Sequence, residues 1–377
     1  MPLYLTFALA FSGYSAVTAG RVILPLYALE LGAQPTAVGL LFASYFAFPL
    51  LLTWPIGVLS DRVGSRWLLM FGIVSGAVGM LVPWYMRDLP SLFIAGTLLG
   101  LSFVFCNVLI QNLVGVLSKP HERARNFSNS SLVGSSTNVV GPLIAGFSID
   151  HSGHAMACLY VVGLSVVAAG LLLIWGGVLP RGSGGHARPA STLRERLSDK
   201  AMLRIILTSS LAQVGQDLYQ FYLPVYGHGI GLSASAIGTI LACVFIASAF
   251  VRFLLVRLIA WTGEERLLAF SFALAGLGFA LVPLFQSAVV LAVVSVVFGL
   301  GMGCAQPVTM MLLFARSPEG RSGETVGLRQ TANNLARVGA PPLFGLIASA
   351  TGLFPVFFIS ALLMGAGALI TRPRGAT

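Results

Sequence analysis

The chain is built from long apolar runs separated by short polar connections. A helix needs about 20 apolar residues to cross the hydrocarbon core of a bilayer. Twelve runs meet that need, at about 3–29, 36–57, 67–86, 90–117, 126–149, 155–178, 202–227, 235–259, 267–286, 288–315, 325–349 and 354–371. The pattern predicts an all-α membrane protein. One connection differs from the rest. From Arg181 to Lys200 it reads RGSGGHARPASTLRERLSDK, rich in Gly, Pro and charge, and it follows the sixth run. This predicts a six-helix bundle over 1–178, a cytoplasmic linker over 179–200 and a second six-helix bundle over 201–377.

The two halves repeat each other. Leu24-Pro25-Leu26-Tyr27 recurs as Leu223-Pro224-Val225-Tyr226, 199 positions on. At the same offset Gly32 meets Gly231, Gly64 meets Gly263, Gly100 meets Gly299, Pro142 meets Pro341 and Gly153 meets Gly352. A constant offset across most of a half predicts two homologous bundles in parallel arrangement, with a functional site near the bilayer midplane between them.

Composition agrees with the pattern. Of 377 residues, 56 % are hydrophobic and 9 % are charged, whereas a soluble chain carries about 25 % charged residues. Soluble, disordered and coiled-coil classes are excluded. The net charge of +10 does not point to nucleic acid, because the basic residues fall in connections between apolar runs. Arg62, Arg66, Lys119, Arg123, Arg125, Arg181, Arg194, Arg266, Arg316 and Arg372 lie on one side, and Arg87 alone on the other. The positive-inside rule then places both termini in the cytoplasm, and short loops with Arg-rich composition suggest a bacterial inner membrane. The N-terminus lacks the basic n-region and cleavage site of a signal peptide. Cys106, Cys158, Cys243 and Cys304 sit in apolar runs without ligand spacing and read as packing residues. No metal constellation, cofactor motif, phosphate-binding loop or catalytic constellation occurs, so an enzyme is not expected.

Between the second and third runs the chain reads Gly57-Val58-Leu59-Ser60-Asp61-Arg62-Val63-Gly64-Ser65-Arg66-Trp67. This resembles the signature loop of the major facilitator superfamily in both spacing and position. With twelve spans and a two-half repeat, the resemblance covers the whole chain. It implies a fold of two pseudo-symmetric six-helix bundles and secondary transport by alternating access. Gly57, Asp61, Arg62, Gly64 and Arg66 are then gate residues. The second half keeps Gly263 and Arg266 but has Ala260 where Asp61 would fall, so any gate ion pair is asymmetric. In helix five, Gly141-Pro142-Leu143-Ile144-Ala145-Gly146 resembles the antiporter motif of the drug/proton antiporters, with Ala145 and Thr137 in place of expected glycines. The alternative is an ordinary Gly-Pro kink. The arginine many of those antiporters carry in helix four is absent between Pro90 and Ser118.

Polar side chains inside a span are costly and turn towards the bundle interior. Helix seven carries Gln213, Gln216, Asp217 and Gln220, one helical stripe. Helix one carries Tyr14, Thr18 and Arg21, which map onto Gln213, Asp217 and Gln220 through the repeat. Asn107 and Gln111 in helix four, Gln306 in helix ten, Asn138 in helix five, and Gln330, Asn333 and Arg337 in helix eleven extend the set. All are candidate cavity residues, and Asn107, Gln111 and Gln306 serve equally as hydrogen-bonding links between helices. Tyr14, Tyr219, Phe221 and Tyr222 suit an apolar substrate or plain packing. Arg329 and Arg252 lie nearer the cytoplasmic ends and are expected to snorkel.

Asp217 is the carboxylate placed deep in a span. A carboxylate taken out of water holds a proton more readily, and an arginine beside it opposes this. Asp217 is therefore the candidate proton site, with a structural pairing to Arg21 as the alternative. Arg21 and Arg337 outnumber it, which favours an anionic or zwitterionic substrate. The reading is a proton-coupled exporter of a small molecule that needs only a monomer and the bilayer. The alternatives are a proton symporter or facilitator for a small organic anion and, more remotely, a sensor on a transporter fold.

Overall fold

The computed structural model describes residues 2–119, 122–180, 200–315 and 322–371. Residues 181–199 of the expected linker, the basic residues at 316–321 and 372–377, and the side chains of Asp61, Arg62 and Arg123 fall outside the described residues. The helices are α1 (Pro2–Glu30), α2 (Pro35–Val63), α3 (Ser65–Met86) and α4 (Leu89–Leu117). A continuous element follows over Arg123–Trp175, broken by non-helical backbone at Gly153 (φ 78°, ψ 167°). Its arms, 123–152 and 154–175, are α5 and α6. Then come α7 (Lys200–Gly229), α8 (Ala234–Thr262), α9 (Glu264–Leu281), α10 (Ala288–Ala315), α11 (Ser322–Thr351) and α12 (Leu353–Thr371). The all-α expectation with twelve helices is met.

The repeat is written into the backbone. Among the described residues six glycines have positive φ: Gly32 and Gly231, Gly64 and Gly263, Gly153 and Gly352. They form three pairs at the 199-residue offset. Each sits at a helix junction, in a left-handed region that a Cβ disfavours.

Nine described helices, with α5 and α6 counted together, are long and apolar enough to cross a membrane. Only α7 and α11 fall short among the rest, and these are the two richest in polar residues. Exposed apolar side chains such as Phe253, Val256, Trp261 and Leu362, all more than 70 % exposed, are the surface a lipid solvent requires. The chain is a multi-pass integral membrane protein.

Two compact units make up the chain. One holds α1 to α6 together with Leu232–Ala242 at the start of α8; the other holds α7 and everything from Cys243 onward. In the first, Leu69, Ile73, Val104, Phe105, Leu109 and Leu172 form a buried cluster. In the second, Tyr219 stacks on Phe298 at 3.8 Å. Leu232–Ala242 joins the first unit because small residues let backbones touch: a Cβ on Gly238 would collide with the Pro142 carbonyl, and one on Gly146 with that of Ala234.

Asp150 completes this contact. Its carboxylate accepts from the backbone N–H of Ala234 (2.9 Å) and of Ser235 (2.8 Å), the first turn of α8. Burial by itself pushes the Asp150 carboxyl up, but hydrogen bonds from Ser235, Ala234 and Ser233 outweigh it and hold the group below the ordinary carboxylate value. A lowered native value means the cap stabilises above the usual carboxylate range and is lost as pH falls through it. Asp150→Ala should cost about 0.5–2 kcal/mol, read as a fall in thermal unfolding temperature in detergent that shrinks at acid pH.

Candidate functional site

The polar stripe of α7 faces α10 and α11 of its own unit. Asp217, 3 % exposed, is held by Arg337: Nε donates to Oδ2 at 2.6 Å and Nη2 to Oδ1 at 3.4 Å. One turn back on α7, Gln213 Nε2 donates to the same Oδ2 at 3.1 Å. Gln306 of α10 donates from Nε2 to Gln213 Oε1 at 3.0 Å. Arg329 of α11 donates from Nη2 to Gln306 Oε1 at 3.2 Å. Ser210 donates to Asn333 Oδ1 at 3.0 Å alongside. Arg329, Asn333 and Arg337 are four residues apart on one face of α11, which is why three consecutive turns contribute.

The result is a line of hydrogen bonds in which every donor points towards Asp217. Its charges do not balance: two guanidiniums answer one carboxylate. Arg329 is 9 % exposed, and its Nε and Nη1 have no hydrogen-bond partner among the described residues. The sequence reading set Arg329 aside as snorkelling, and the structure corrects this: the side chain turns inward to Gln306. The spacing of Arg329, Asn333 and Arg337 was the available signal. Arg252 is likewise turned to protein, donating from Nε to Gly303 O at 3.1 Å. Within its own unit Asp217 is paired with Arg337.

In the first unit Arg21 lies over three rings, its Cζ at 4.4 Å from the centroid of Tyr45, 4.9 Å from Phe103 and 5.3 Å from Phe46. Its Nε and Nη2 have no hydrogen-bond partner among the described residues. The aromatic faces offer the guanidinium a weak electrostatic partner but no acceptor. Thr18, the repeat mate of Asp217, does something different. It donates to Thr137 O at 2.9 Å across the α1–α5 contact, where Gly141 leaves room for it. The same helix pair carries a close packing contact in one half and an ion pair in the other.

The remaining candidates are less engaged. Asn107 and Gln111 bond to each other along α4. Tyr14 packs against the buried cluster of its unit. Gln216, Gln220, Asn138 and Gln330 are half-buried. Tyr219, Phe221 and Tyr222 are fully buried packing residues, Tyr222 donating to Pro341 O at 3.2 Å. Near the signature loop, Gly64 ends α2 and begins α3, Gly57 lies in α2, and Arg66 donates to Leu173 O at 3.2 Å. Asn112 of α4 bonds Ser60 there at 2.7 Å, a contact the sequence did not suggest. Among the described residues no three of His, Cys, Asp and Glu converge to hold a metal ion.

Comparison with known proteins adds the lineage. A family model for the Major Facilitator Superfamily matches residues 5–341, with a second match over 228–376. Quinolone resistance protein NorA of Staphylococcus aureus is 25 % identical over 166 residues, 44 % of this chain and only 42 % of its own length. Monocarboxylate transporter 13 of Rattus norvegicus is 26 % identical over 339 residues, 85 % of this chain and 76 % of its own. Among solved structures, a nucleoside transporter, NupG, has a TM-score of 0.79 at 15 % identity and covers 99 % of this chain and 100 % of its own. A peptide transporter in complex with sulfate has a TM-score of 0.80 at 16 % identity, with 98 % and 93 % covered. The chain belongs to the Major Facilitator Superfamily.

Proposed function

We propose that this Major Facilitator Superfamily member is a proton-coupled exporter of a small molecule, with Asp217 as the group that takes and releases the proton. The observation that carries the reading is the Asp217–Arg337 pair. Asp217 is the only carboxylate among the described residues that the fold buries, and it sits at the end of a polar line. A proton on Asp217 cancels its charge and releases Arg337, so one binding event changes the electrostatics of α7, α10 and α11 together. Arg21 and Arg337 are the substrate or switch residues. The likeness to NorA supports efflux. The one-sided distribution of basic residues supports cytoplasmic termini in a bacterial inner membrane, and one chain carrying both halves supports a monomer.

A second reading is a proton symporter for a small organic anion. The excess of guanidinium over carboxylate favours it, as does the likeness to monocarboxylate transporter 13.

The test is proton flux in proteoliposomes with a pH-sensitive dye, wild type beside Asp217→Asn, challenged with cationic drugs and with organic anions. The wild type is expected to move protons with one class of compound, and the variant to fall to the protein-free background. The direction of proton movement separates export from symport. A variant that couples like the wild type overturns Asp217 as the proton site.

A further inference from the structure

The geometry points to Arg329 as an anion site whose demand for a carboxylate is switched on by a proton at Asp217, through the side-chain amides of Gln213 and Gln306. This rests on the reading of Asp217 as the proton site and, between the two transport readings, takes the side of an organic anion that binds together with the proton.

The argument follows from donors and acceptors. With Asp217 ionised, the line runs one way: Arg329 Nη2 to Gln306, Gln306 to Gln213, Gln213 to Asp217. Once protonated, the carboxyl needs an acceptor for its new O–H. Arg337 has none to offer, because a guanidinium only donates. Gln213 is the bonded neighbour that can accept, by turning its amide oxygen to Asp217. Its NH2 then faces Gln306, which must turn its own oxygen to meet it. That leaves the Gln306 NH2 against Arg329, donor against donor. Arg329 loses the acceptor of Nη2, having already had none for Nε and Nη1. Nε and Nη2 form one side-on edge of the guanidinium, the edge that takes a carboxylate through two parallel bonds. A proton at one end of the line thus empties a two-pronged anion site at the other.

Charge gives the same answer. The line holds +1 when Asp217 is ionised and +2 when it is protonated. A bound carboxylate restores +1, so proton and anion enter together at constant buried charge. The two free N–H groups are sealed from water in this state, so the anion is admitted by a conformation that opens this end of α11. Positive linkage of this kind loads proton and anion together, as the second reading, symport of a small organic anion, requires.

Among the described residues the neighbouring elements supply no competing titratable group. On α7 itself Tyr219 and Tyr222 spend their hydroxyls on Ser295 and Pro341. The only cysteine of α10, Cys304, lies beside Arg252 of α8. The charges of α9 are in its first turn, at Glu264, Glu265 and Arg266, and α12 has no Asp, Glu, Lys, Arg or His.

Benzoate is the probe, and choline the cationic control. Binding is measured by calorimetry on the full chain in detergent, from mildly alkaline to mildly acidic pH and above the range where benzoate itself titrates. Wild-type affinity for benzoate should rise about tenfold on acidification, with no such rise for choline. Arg329→Gln should lose benzoate binding. Gln213→Leu, which interrupts the line between Asp217 and Gln306, should lose the rise with acidification. Benzoate affinity that ignores pH in the wild type overturns the proposal, as does Arg329→Gln binding like the wild type. So does Gln213→Leu retaining the full rise, since the field of Asp217 alone would then suffice. If Arg329→Gln does not fold, the wild type and Gln213→Leu decide. Proteoliposomes separate the two levels. Coupling that depends on Asp217 alongside pH-independent benzoate binding leaves the transport reading standing and removes the Arg329 site. Coupling that survives Asp217→Asn removes the proton reading.

Discussion

Arg337→Ala is expected to destabilise the protein by about 3–5 kcal/mol, the cost of leaving a buried charge without its partner. Asp217 is almost fully buried, and Arg337 reaches it through two nitrogens. Gln213 contributes one further hydrogen bond, too little to replace a full opposite charge. The two single substitutions should differ in their pH behaviour. In Arg337→Ala the orphan is a carboxylate, which a proton neutralises, so the loss should shrink as pH falls. In Asp217→Asn the orphan is a guanidinium, which cannot be neutralised, so its loss should persist at acid pH. The double variant Asp217→Asn with Arg337→Ala removes both charges and should recover most of the loss. Thermal unfolding in detergent at several pH values, arranged as a double-mutant cycle, reads all three. Additive single losses would mean that the pair carries no coupling energy.

Gly100→Ala should be nearly as damaging, at about 3 kcal/mol, the upper end for overpacking. The Cβ it adds would fall on the carbonyl of Tyr45, which is backbone and cannot rotate away. The same geometry recurs in the second half, where Gly299 meets the carbonyl of Val244. Tyr45 and Val244 are themselves 199 residues apart, so both halves use one contact: α4 on α2, and α10 on α8. In a bilayer this contact cannot be replaced by hydrophobic driving force, because lipid tails are as apolar as the helices. Close backbone packing must supply the energy. Gly299→Ala should therefore lose a similar amount. Gly134→Ala, where a Cβ meets nothing within 4 Å, is the control, and should stay level or gain up to about 1 kcal/mol from helix propensity. Equal losses at Gly100 and Gly134 would show that the damage comes from something other than the close approach. Fluorescence-detected size-exclusion profiles and unfolding temperatures measure both.

Sequence alone determined the spans, the two-half repeat and the family. Each follows from a constraint that acts locally. A bilayer demands about 20 apolar residues for every crossing, whatever the helix packs against. A junction demanding positive φ selects glycine, so the Gly32, Gly64 and Gly153 pairs kept both their spacing and their backbone. The stripe on α7 was legible for the same reason, since 3.6-residue periodicity is a property of one helix. Tertiary structure alone decided who answers whom. Thr18 and Asp217 are equivalent by the repeat, yet one bonds a carbonyl of α5 and the other an arginine of α11, because Gly141 permits a close approach and Arg337 supplies a charge. Distance from a span end put Arg329 among the snorkelling residues, whereas the position of Gln306 on a neighbouring helix turned it inward. A side chain's partner belongs to the helix opposite, and a single helix carries no record of which neighbour that will be.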